Sequence, residues 1–182
     1  MLYEHAFNSF FPVMVSSAPD LALPTRCRRL KQAEDAAVLL RALRQHVLAR
    51  RAPLFGYGKA AALIGRKNSD GAHLGQVCSR IDVACYHAGL PLLTLHWVRR
   101  PDGKVNHDSL VGWRAFAQEL IDASAGHAWT AGELELVQAR LHALPQKATA
   151  ALWAEVEAQG SATIRQQLHG ALAGRVRTLQ AV

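Results

Sequence analysis

The sequence predicts a mostly α protein with one small β-hairpin: a winged-helix-like module followed by C-terminal helices. Three observations lead there. Apolar residues recur at helical spacing in several separate stretches. A single stretch, Pro91 to Val98, alternates with period two, and Asp102-Gly103 follows it as a hairpin tip. Half of the 182 residues are hydrophobic and 19% are charged, the balance of a globular chain rather than a disordered one.

Residues 1–32 read as an N-terminal arm, with Pro12, Pro19 and Pro24 and no sustained helical period. Its apolar run, Phe10 to Val15, is preceded by Glu4 instead of positive charge, so it is not read as a secretory signal. The first helix is expected from about Ala33 to Ala49, with a stripe of Ala36, Leu39, Leu40, Leu43 and Val47. Pro53 stops it. A short helix from Gly58 to Ile64 ends at Gly65, and the turn Arg66 to Gly71 follows. A longer helix from Ala72 to His87 places Leu74, Val77, Cys78, Ile81, Ala84 and Cys85 on one face, and Gly89 ends it. Pro91 to Val98 then reads as a strand, with a short second strand from Lys104 to Asn106. Residues 33–107 form the module.

The remainder, 108–182, reads as helices that pack on the module or dimerise. A helix capped by Asp108 or Ser109 runs to about Ala123. Thr130 and Glu133 have capping-box spacing ahead of Leu134, Val137 and Leu141. Pro145 opens a helix with Leu152, Trp153 and Val156, and Ser161 starts a last one. Gly170 and Gly174 on that last helix permit close packing, within the chain or across a homodimer.

Charge is unevenly placed. Between Arg26 and Asn106 stand fifteen Lys/Arg and five Asp/Glu, a local +10, while the whole chain carries +7. Such a focus favours a polyanion, most often nucleic acid; it also fits a solvated basic surface. The order helix, turn, helix, strand, turn, strand is that of a winged helix, whose second helix enters a groove of DNA. Arg99, Arg100 and Lys104 at the wing tip suit phosphates, and Arg66 and Lys67 flank the second helix. Lys59 adds to the same basic set. His73, Gln76, Ser79 and Arg80 are polar candidates on that helix, where Gln pairs with adenine and Arg with guanine. These four also fit an ordinary solvated helix face.

Phe55-Gly56-Tyr57-Gly58-Lys59 through Gly65, then Leu74-Gly75-Gln76-Val77, Gly89-Leu90-Pro91 and Asp102-Gly103, resemble the C-terminal domain of the O6-alkylguanine-DNA alkyltransferases and the alkyltransferase-like proteins. The resemblance covers roughly fifty residues. It implies a winged helix that binds DNA from the minor groove, with Tyr57 touching the backbone or a displaced nucleotide. The family's catalytic proline–cysteine–histidine–arginine is missing, since Leu92, Leu93 and Thr94 follow Pro91. The position of the base-stack arginine falls on Ala72 or His73. No alkyl transfer is expected.

No other constellation points to an enzyme. Cys78, Cys85 and His87 are close, but a structural zinc site needs four converging ligands, so the cysteines read as core thiols in a reducing, cytoplasmic setting. His96 and His107 lack an acid–base partner set by spacing. No cofactor, metal or membrane span is expected. The expected function is non-catalytic binding of double-stranded DNA, with a monomer and a homodimer both left open. The alternative is a protein-interaction module, a mobile-element, phage or defence-system factor, whose basic face meets an acidic protein surface or blocks a nucleic-acid site.

Overall fold

A computed structural model describes residues 25–49, 55–66, 71–99 and 117–158. The chain is mostly helical. In order come α1 (Thr25–Leu48), β1 (Phe55–Gly56), α2 (Tyr57–Leu63), α3 (Gly71–His87), α4 (Leu93–Trp97), β2 (Val98–Arg99), α5 (Ala117–Gly126) and α6 (Ala131–Ala143). A further helix, α7, spans 149–158. Among the described residues, no helix is long and apolar enough to cross a membrane.

The first helix begins earlier than its apolar stripe. It starts at Thr25, so residues 25–32 belong to a helix and not to an arm. The stripe itself is the inner face: Ala36, Leu39, Leu40, Leu43 and Val47 are buried, and α1 packs on α3 and α6. Arg44 of α1 pairs with Glu135 of α6 at 2.5 Å across the surface of this contact.

The central element is α3. Leu74, Gly75 and the unbroken run from Val77 to Cys85 are buried. Nine consecutive residues point in every direction around a helix, so this one is enclosed rather than half-exposed. It packs against α1, α6, α4 and α2. Gly89, at φ +70°, ends it in the left-handed conformation that glycine adopts without strain. There the Leu90 N–H donates to the Cys85 carbonyl at 3.0 Å.

The stretch expected as a wing strand is different. Residues 93–97 form the helical turn α4, and only Val98 and Arg99 are extended. Among the described residues their partner is β1, and the pairing is parallel, Phe55 opposite Val98 and Gly56 opposite Arg99. The cause is tertiary. Leu92, at the N-cap of α4, has no side chain able to cap it, and Asp82 reaches over from α3 to accept the Thr94 backbone N–H at 2.8 Å. An acceptor for an orphaned N–H tips five residues into a helix. The expected hairpin tip and second strand, 100–106, lie outside the described residues.

On the C-terminal side, Thr130 and Glu133 close the capping box at the start of α6. Leu134, Val137 and Leu141 of α6, with Leu152, Trp153 and Val156 of α7, join the same core as α1 and α3. Pro145 stands in the loop between them, and α7 starts at 149. α5 packs on α4. The last expected helix, from Ser161, lies outside the described residues.

Candidate nucleic-acid interface

Two direct junctions build a corner of the molecule. β1 passes into α2 without a loop, with Gly56 serving as the last residue of one and the N-cap of the other, at φ −63° and ψ 149°. Likewise α4 passes straight into β2. The parallel pairing joins the two junctions and sets Arg99 opposite Gly56, and α2 touches β2. Val98 is buried and anchors the strand, while Arg99 is half-buried beside it. In front of Gly56, the space a side chain would fill is open.

Lys59 stands exposed on α2. Gly65, at φ +67°, closes the helix, with the half-buried Arg66 donating its N–H to the Ala61 carbonyl at 2.8 Å. Lys67, Arg100 and Lys104 lie outside the described residues.

The other expected contacts are differently placed, and each has a physical reason. Tyr57 is only 7% exposed and belongs to the core, so its ring is not a surface for DNA. Arg80 is 1% exposed. Its guanidinium donates to the Pro145 carbonyl at 2.9 Å and the Lys147 carbonyl at 3.2 Å, tying α3 to the loop after α6. It is therefore a buried staple and not a guanine reader. Ser79 is buried too and returns its hydroxyl proton to the Gly75 carbonyl, 2.8 Å away. His73 turns inward: its Nε2 meets Asp35 Oδ2 at 2.7 Å, and Lys31 holds the other Asp35 oxygen at 2.8 Å. Of the four polar candidates on the second helix only Gln76 remains half-exposed with no partner assigned to the core. A helix must present a continuous exposed face to enter a major groove, and α3 has none beyond its first turns.

Two buried carboxylates escaped the sequence reading. Asp35 bridges α1 to α3. Asp82 interrupts an otherwise apolar run, Ile81 to Cys85, which is the signal that could have found it. Burial pushes its carboxyl up to about 7, against the opposing pull of its two Thr94 hydrogen bonds. Burial first, and the nearby Asp82 second, also push up the thiols of Cys78 and Cys85. Thiols held protonated in a core are poor nucleophiles and poor metal ligands. Among the described residues no group of three His, Cys, Asp or Glu could hold a metal ion.

A third grouping joins α1 to the corner. Trp97 meets His46 edge-on, with ring centres 6.0 Å apart, and His96 edge-on at 5.1 Å. His96 is held below its ordinary value by burial and then by the neighbouring Arg99. Comparison with protein-family models, curated proteins and solved structures finds no match.

Proposed function

We propose that this chain is a non-catalytic DNA-binding protein that grips the phosphate backbone through the α2–β2 corner. The observation that carries this reading is the β1–β2 register. It brings the strand bearing Arg99 against the helix bearing Lys59, in front of which the surface is open at Gly56. In the sequence, Arg100 and Lys104 follow Arg99, and Lys67 follows Arg66. Backbone neutralisation by such a set supplies most of the affinity in sequence-independent binding. The burial of α3 speaks against base reading by the second helix, so the reading rests on phosphates and not on an alkyltransferase-like groove contact.

The test is fluorescence anisotropy of labelled duplex and single-stranded DNA over a salt series, beside the triple change Arg99→Ala, Arg100→Ala and Lys104→Ala. Binding that weakens steeply with salt, with a shallower slope in the triple variant, supports the reading. No binding of either form at low salt overturns it. A protein-interaction role is the second reading. It is favoured by Leu30, Val38 and Leu48, which are 42%, 38% and 39% exposed along α1.

A further inference from the structure

We propose that the outer face of α1 is a self-association surface: a second copy of this chain docks on it with its own α1 running antiparallel, each Glu34 meeting the partner's Arg41. This rests on the protein-interaction reading above, names its occupant, and is independent of DNA binding.

One side of α1 faces the core through Ala36, Leu39, Leu40, Leu43 and Val47. The opposite side lies in solvent. There Leu30, Glu34, Val38, Arg41, Gln45 and Leu48 are exposed, at steps of four, four, three, four and three residues. Such steps keep all six on one line along a helix, and eighteen residues span about 27 Å. Leu30, Val38 and Leu48 are large and apolar, and they stand at the two ends and the middle of the line. Apolar residues repeated at this spacing are what a packed helix pair covers.

The charges on this side select a second copy. Lys31 is held by Asp35 at 2.8 Å and Arg44 by Glu135 at 2.5 Å, so the two cations beside the line are matched within the chain. Among the described residues Glu34 and Arg41 have no ion-pair partner. They stand seven residues apart, which is about 10 Å along the helix and too far for them to meet each other. A two-fold axis crossing α1 between Ala37 and Val38 brings position 34 level with position 41 of the partner, and position 41 level with its 34. One contact, made twice, gives each charge its counterpart. In the same register Leu30 comes level with the partner's Gln45, one turn from the partner's Leu48, and Val38 meets its own copy near the axis. A parallel pair sets Glu34 against Glu34 and Arg41 against Arg41. The antiparallel direction also opposes the two helix dipoles. A purely acidic partner matches Arg41 and repels Glu34.

A single helix pair is at the small end of protein interfaces, so the dimer is expected to form at about 1–100 μM. Sedimentation equilibrium of the full chain, freed of nucleic acid, is run over that range and tenfold above it. Glu34→Arg and Arg41→Glu, both at exposed positions, are each expected to weaken dimerisation at least about tenfold, since each change places two like-charged pairs across the axis. The double variant Glu34→Arg/Arg41→Glu is expected to dimerise as wild type does. An equimolar mixture of the two single variants is expected to form the heterodimer, in which every position 34 faces a position 41 of opposite sign. Leu48→Lys is a further variant should either single change fail to fold, and it too is expected to weaken the dimer. A chain that stays monomeric throughout overturns the proposal and leaves the face to a different protein. A dimer that the folded single variants or Leu48→Lys leave unaltered, or that the double change does not restore, overturns it and puts the interface elsewhere on the chain.

Discussion

The carboxylate of Asp82, in the middle of α3, caps α4 through Thr94: Oδ1 accepts the Thr94 backbone N–H at 2.8 Å, and Oδ2 accepts the Thr94 hydroxyl. This pair decides the path of the chain into β2, and so the position of Arg99. It also places a carboxylate in the core. The groups that face it are the thiols of Cys78 and Cys85 and the two Thr94 donors. The charged groups Asp35, Arg44 and Arg80 are turned to other partners.

The first prediction concerns pH. The carboxyl rises from 3.8 to about 7 on folding, so the folded state binds the proton more tightly than the unfolded one. The stability this contributes is complete below 3.8 and is lost as pH rises to about 7. Asp82→Asn keeps an acceptor for the Thr94 N–H and cannot ionise. Its stability relative to wild type should therefore improve steadily across that window. Urea denaturation at several pH values checks this, and parallel curves for the two proteins would rule it out. Thr94→Val should cost about 1–3 kcal/mol by leaving one carboxylate oxygen unsatisfied.

The bridge from α1 to α3 makes a second prediction. Asp35 is 1% exposed and holds both His73 and Lys31. Removing Asp35 leaves Nε2 of the largely buried His73 without its partner, at a cost of about 1–3 kcal/mol. Asp35→Ala should lower the unfolding free energy, measured by urea denaturation, by an amount in that range. Lys31→Ala, whose side chain is 43% exposed, should cost well under half as much. Equal losses from the two would contradict the bridge.

Arg80 separates structure from binding. As a staple from α3 to the carbonyls of Pro145 and Lys147, it should matter for stability and not for nucleic acid. Arg80→Met fills much of the same volume and lacks the donors, and should cost about 1–3 kcal/mol. Its affinity for DNA, measured well below its melting temperature, should equal that of wild type. A selective loss of DNA binding in a fully stable Arg80→Met would restore Arg80 as a contact.

The α1–α3–α6 packing makes the fourth. Leu39 is fully buried in the common core. Leu39→Ala should destabilise by about 2–5 kcal/mol, the range set by how far a core can collapse around a lost side chain. The exposed Val38→Ala should change stability by no more than about 0.5 kcal/mol. Thermal melts of the two variants compare a core position with its neighbour on the solvent side.

Much of the helical framework was legible from spacing alone. The stripe from Ala36 to Val47, the capping box of Thr130 and Glu133, and the terminating glycines 65 and 89 each act within a few residues of themselves. The strand at 91–98 was misread because Leu93, Leu95 and Trp97 alternate, and alternation is what a half-buried strand shows. Buried from several sides, α4 has no single outer face for its pattern to mark.

The candidate site divides in the same way. By itself the sequence determined where the positive charge concentrates, where α2 and α3 end and α6 begins, and which residues are apolar enough to be core. These depend on composition and on neighbours up to four positions apart. Only the tertiary structure decided which polar residues face inward. His73, Arg80 and Asp82 lie on one helix with solvent-like side chains, and each is drawn into the interior by a partner on another element: Asp35 at a separation of 38 residues, the Pro145 carbonyl at 65, Thr94 at 12. A buried polar group must find its hydrogen bonds wherever the fold brings a partner. That partner cannot be read from the spacing of the residues beside it.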